Sequence, residues 1–110
     1  MAIKINYEGW ILKQLTIQAN SLFADLDKVW KDIKDSKWLG GSSEGWERFP
    51  YYLNGLVPLA YTLNDFKLID KANYYINKVF LCQKDDGNIS PNACENSKDI
   101  WPLFLILKVC

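Results

Sequence analysis

The densest group of chemically able side chains lies between Glu44 and Tyr52. Glu44 and Glu47 flank Trp46, Arg48 follows directly, and Tyr51 and Tyr52 come one turn later. Cleavage of a glycosidic bond generally takes two carboxyl groups, one acting as acid and the other as base or nucleophile. Acidic and aromatic residues on a loop entering a helix can line a sugar pocket. The same two glutamates also suit a helix N-terminus, where carboxylates meet the positive end of the backbone dipole, with Trp46 packed beneath. No catalytic role is therefore assigned to either. The substrate-contacting candidates are Trp46, Glu47, Tyr51 and, from further along the chain, Trp101.

Residue types exclude much other chemistry. There is no histidine, so neither a serine triad nor a histidine-activated cysteine can be assembled. Cys82, Cys94 and Cys110 are too widely spaced for a zinc knuckle. Three cysteines complete no disulfide framework and are expected as free thiols in a reducing compartment. Asp85-Asp86-Gly87 lacks the ligand spacing of a calcium loop and reads as a helix-ending turn. No glycine-rich phosphate loop occurs. No metal or other cofactor is expected within this chain.

The elements that must position the candidates are helical. Leu12, Leu15, Ala19, Leu22, Leu26, Val29 and Ile33 recur at steps of three and four, which predicts one apolar stripe over residues 9–33, interrupted near Asn20 or Asp25. Polar Asp27 falls off that stripe. Gly40-Gly41-Ser42-Ser43 predicts a loop. A second helix is expected over Arg48–Leu63, with Pro50 in its first turn and Pro58 kinking it or opening a turn. Asn64-Asp65 makes a short turn, Asp65 caps a third helix over Phe66–Gln83, and the two pack as an antiparallel hairpin. A fourth helix starts near Asp99 with Pro102 in its first turn. If consecutive helices alternate in direction, Trp46 and Trp101 stand at one end and share a rim. Trp10, Trp30 and Trp38 are expected in the core.

The 110 residues suffice for one small domain, and 49% of them are hydrophobic, enough for a packed core. Thirteen basic residues balance thirteen acidic ones, so no net field draws in nucleic acid or an anionic membrane. No apolar run reaches the roughly 20 residues of a bilayer span. Met1–Asn6 is too short and too polar for a signal-peptide core, which points to the cytoplasm.

In chain order, several segments resemble the catalytic domain of the beta-L-arabinofuranosidase family of glycoside hydrolases. They are Gly9–Leu15, Leu26–Ile33, Ser36–Gly41, Gly45–Tyr61, Gln83–Gly87 and Asp99–Phe104. The long central motif, Gly45-Trp46-Glu47-Arg48-Phe49-Pro50-Tyr51-Tyr52-Leu53-Asn54-Gly55-Leu56-Val57-Pro58-Leu59-Ala60-Tyr61, is the specific one. The family usually shows Pro-Tyr-Trp-Leu-Asp-Gly there, so Tyr52 and Asn54 depart from it. The resemblance implies an all-α fold, the N-terminal part of an (alpha/alpha)6 barrel, with residues 1–110 a single incomplete domain. Characterised members use a cysteine nucleophile held on zinc by other cysteines and a glutamate, with a further glutamate as acid/base. Those motifs lie downstream of the matched positions, so zinc and the catalytic residues belong to a full-length relative. The expected function is a piece of a glycosidase acting on terminal sugars of plant-type or other glycans, inactive alone, with carbohydrate as partner only of the full-length protein. The alternatives are a stand-alone helical interaction module and a non-functional truncated gene product.

The helix from Trp101 onward is apolar on most sides and the chain stops within it. Exposing ~500 Å² of apolar surface would forgo roughly 12 kcal/mol at ~25 cal/mol/Å². That rivals a typical domain stability of roughly 5–15 kcal/mol. The isolated chain is thus expected to be marginal and to self-associate.

Overall fold

A computed structural model describes residues 5–91 and 100–110. Among them the regular elements are helical: α1 (Gly9–Ala19), α2 (Leu26–Val29), α3 (Lys31–Lys34), a 3-10 turn (Lys37–Leu39), α4 (Arg48–Leu63), α5 (Phe66–Leu81) and α6 (Trp101–Val109). The all-α expectation holds for this part of the chain.

The central hairpin forms where its local signals place it. α4 has the expected bounds and runs on through Pro58, whose ring withholds the N–H that Asn54 carbonyl would otherwise receive. Asn64 takes a left-handed conformation (φ 52°) and ends the helix. Asp65 then accepts from the N–H groups of Lys67 and Leu68 at 3.0 and 3.2 Å, capping α5. Phe49, Leu53, Leu56 and Ala60 of α4 are fully buried, and Leu68, Ala72, Tyr75 and Val79 of α5 face them. Tyr75 meets Phe49 and Tyr52 edge-on, with ring centroids 5.7 and 6.1 Å apart. α5 ends two residues earlier than expected. Gly87 N–H then donates to Lys84 carbonyl and Lys84 N–H to Asn88 carbonyl, so Asp85-Asp86-Gly87 is the helix-ending turn.

α6 packs on α4 through Leu105 and Ile106. Trp101, at its start, touches Tyr51 near the start of α4. Lys108 and Val109, at its end, share a groove with Val57, Pro58 and Tyr61 in the later half of α4. The two helices therefore lie side by side and parallel, with antiparallel α5 between them in sequence.

The stretch before the hairpin departs from the predicted stripe. α1 stops at Ala19. Asn20 Nδ2 turns back onto Thr16 carbonyl (2.8 Å), and Ser21 Oγ donates to Gln18 carbonyl (2.8 Å) while accepting from Phe23 N–H (3.3 Å). Such short polar side chains compete with the helical ladder for backbone partners. Trp30, in an extended conformation (φ −102°, ψ 115°), separates α2 from α3. Ala19 and Ile33 are buried, but Leu12, Leu22 and Val29 face outward. Trp38 is buried as expected, at 1% exposure. Trp10 (75%), in the first turn of α1, and Trp30 (40%), between α2 and α3, are not.

The Gly-Gly-Ser-Ser loop is packed against its neighbours. A Cβ on Gly41 would stand 2.3 Å from Asp35 carbonyl oxygen, and one on Gly45 2.4 Å from that of Asp32. Close approach, more than backbone freedom, requires glycine at these two positions.

Candidate functional site

The entry to α4 is built on a tryptophan stack. Trp38, held inside the protein by the 3-10 turn that Ser36 caps, lies parallel to Trp46 at 5.4 Å and 10°. Its Nε1–H donates to Trp46 carbonyl oxygen at 3.0 Å. Trp46 is consequently half-buried and fixed, as the packing interpretation of this residue requires.

The neighbouring charges satisfy one another. Arg48 Nη1 donates to Asp32 Oδ2 at 2.7 Å and lies 3.8 Å from Glu44 Oε2. Asp32 Oδ1 accepts from the Ser43 hydroxyl at 2.6 Å, and Glu44 Oε1 accepts from Trp46 N–H at 3.3 Å. Glu44 thus braces the turn. Glu47 stands at the N-cap of α4 with an exposed side chain that makes no capping bond. Glu44, Trp46, Glu47 and Arg48 line a shallow cleft of about 200 Å³.

One turn further on, Trp101 Nε1–H donates to Tyr51 Oη at 3.1 Å. Tyr51 is 48% exposed and Trp101 51%, so each presents a ring face outward. The four candidates therefore form two pairs along one helix end: Trp46 with Glu47 in the cleft, and Tyr51 with Trp101 in direct contact. Together they offer aromatic faces, one carboxylate and one phenol. This surface can stack on and hydrogen-bond a polyol.

A buried polar cluster escaped the sequence patterns. Lys71 Nζ donates to Asp27 Oδ1 (2.7 Å) and Ala24 carbonyl (2.5 Å), and Tyr75 hydroxyl donates to Asp27 Oδ2 (2.9 Å). Periodicity alone sets Asp27 off the apolar stripe, yet its side chain is only 14% exposed and ties the α1–α2 region to α5. The legible hint was Lys71 and Tyr75 at i, i+4, a polar pair beside the apolar face of an amphipathic helix. Tyr52 hydroxyl lies buried nearby with no hydrogen-bond partner among the described residues. Burial, reinforced by the Asp27 charge, pushes Tyr52 well above the ordinary phenol range. Burial first, then the bond to Asp27, does the same to Tyr75.

A larger concavity of about 560 Å³ is lined by Lys37, Trp38, Gly40, Cys82 and Ser90, among others. Cys82 and Cys110 are free thiols, and Cys94 and Asp99 lie outside the described residues. Among the described residues no group of three or more Cys, Asp or Glu side chains is placed to hold a metal ion, and no helix is long and apolar enough to cross a membrane. No protein-family model matches the chain, and no curated protein or solved structure shows significant similarity to it.

Proposed function

We propose that this chain forms part of the wall and rim of a larger helical-barrel, carbohydrate-active enzyme of the beta-L-arabinofuranosidase type. In this reading Trp46, Glu47, Tyr51 and Trp101 contact sugar, and hydrolysis is left to groups elsewhere in such an enzyme. The observation that carries it is the Trp101–Tyr51 hydrogen bond, which sets the starts of two parallel helices at one end with both aromatic residues about half exposed. Parallel α4 and α6 with antiparallel α5 also have the connectivity from which two concentric helical rings are built. The outward Phe104 and Leu107 of α6 are surface that further barrel helices would cover.

The test is a titration of the chain with methyl pentosides and hexosides, followed by the indole N–H resonances in NMR spectra. The Trp46 and Trp101 signals are expected to move. Silence from every sugar at tens of millimolar would overturn the reading. The same α6 stripe favours a second reading, a helical interaction module that binds a partner helix. That reading predicts a defined oligomer or complex and no response to sugar.

A further inference from the structure

We infer that Tyr51 is a specificity-determining hydrogen-bond donor whose direction is set by Trp101, so the rim selects a sugar that places an acceptor oxygen on Tyr51 and a hydroxyl proton on Glu47. This rests on the carbohydrate reading above.

An indole N–H can only donate, whereas a phenol both donates and accepts. In the Trp101–Tyr51 contact the indole is therefore the donor, and it occupies Tyr51 oxygen from one side at 3.1 Å. The phenol proton finds no acceptor among the described residues. Accepting one hydrogen bond also strengthens the bond a hydroxyl donates. Tyr51, half exposed, thus presents its proton outward to a ligand.

Glu47 has the opposite polarity, because an ionised carboxylate only accepts. Tyr51 N–H donates to Glu47 carbonyl at 3.0 Å, so the two residues are a helical i, i+4 pair on one face. Their Cβ atoms then lie roughly 5–6 Å apart. One sugar ring bridges that span while its apolar face rests on the Trp101 indole. Arg48, the cation at this helix end, is already engaged by Asp32 and Glu44, so it offers Glu47 little competition.

The test uses the full 110-residue chain with methyl glycosides of arabinose, xylose, galactose and glucose, each with monodeoxy and monodeoxyfluoro analogues. Fluorine accepts a hydrogen bond and cannot donate one. At the position facing Tyr51, the fluoro analogue should bind more tightly than the deoxy analogue. At the position facing Glu47, both should bind weakly. Tyr51→Phe keeps the ring, should weaken binding roughly three- to tenfold, and should abolish the fluoro-over-deoxy preference. Without any sugar it should also move the Trp101 indole resonance, which reports the loss of the internal bond. If the parent chain binds no glycoside, the carbohydrate reading falls and this inference falls with it. If the parent binds but Tyr51→Phe keeps the same affinity and the same fluoro preference, the inference alone is overturned.

Discussion

Replacing Tyr52 by phenylalanine should stabilise the protein. Tyr52 is 3% exposed, and its hydroxyl has no partner among the described residues. The ring is well placed, 5.4 Å from Phe23 and 6.1 Å from Tyr75, and phenylalanine retains both contacts. Only the oxygen is lost. A buried hydroxyl without a hydrogen bond costs about 1–3 kcal/mol relative to its hydrated state. Allowing for the small void left behind, Tyr52→Phe should gain about 1 kcal/mol, or roughly 4–6 °C in Tm for a domain of this size. Urea unfolding at micromolar concentration, followed by far-UV circular dichroism, measures it. The pH dependence gives a second arm. Tyr52 is raised above its ordinary value of 10.0 in the folded state, so ionising the phenol opposes folding. Stability is untouched by this group below about pH 10 and falls as pH rises and the unfolded chain ionises. Tyr75 behaves likewise, so alkaline destabilisation should persist in Tyr52→Phe with a shallower slope. A loss of stability in Tyr52→Phe would show that the hydroxyl has a partner and would refute the reasoning.

Asp27→Asn removes the charge that holds Lys71 and should destabilise by about 1–3 kcal/mol, read in the same urea titration; Lys71 is 21% exposed, and solvent there keeps the loss below that of a fully buried pair. Gly41→Ala forces a Cβ against Asp35 carbonyl at 2.3 Å and should cost about 2 kcal/mol or more, because backbone must move to relieve it. Phe104, 59% exposed between Trp101 and Leu107 on α6, should carry self-association of the chain. Phe104→Glu should shift sedimentation profiles toward monomer with little change in helix content, and an unchanged profile would remove α6 as the contact surface.

Two kinds of information separate in this chain. Local grammar was readable where one helix turn or one turn of backbone contains the whole cause. Pro50, the Asn64-Asp65 cap and the steps of three and four in α4 and α5 specify the hairpin without reference to anything distant, and its bounds come out nearly as expected. The chemistry of the α4 entry was legible too, because Trp46, Glu47 and Tyr51 are neighbours in sequence; Trp101 joins them only because α4 and α6 pack in parallel. Periodicity misplaced the stretch before the hairpin. A stripe from Leu12 to Ile33 states which residues prefer burial and leaves open whether a straight helix can reach a partner. Asn20 and Ser21 break it, and Leu22 and Val29 beyond the break face outward. Asp27 was obscure for the same reason: an acidic residue off an apolar stripe looks solvated until Lys71 and Tyr75, more than forty positions away, close around it. Side-chain type and spacing fix what each residue can donate, accept or bury, and tertiary packing alone decides which of these groups find each other and which, like Tyr52 hydroxyl, find no partner among the described residues.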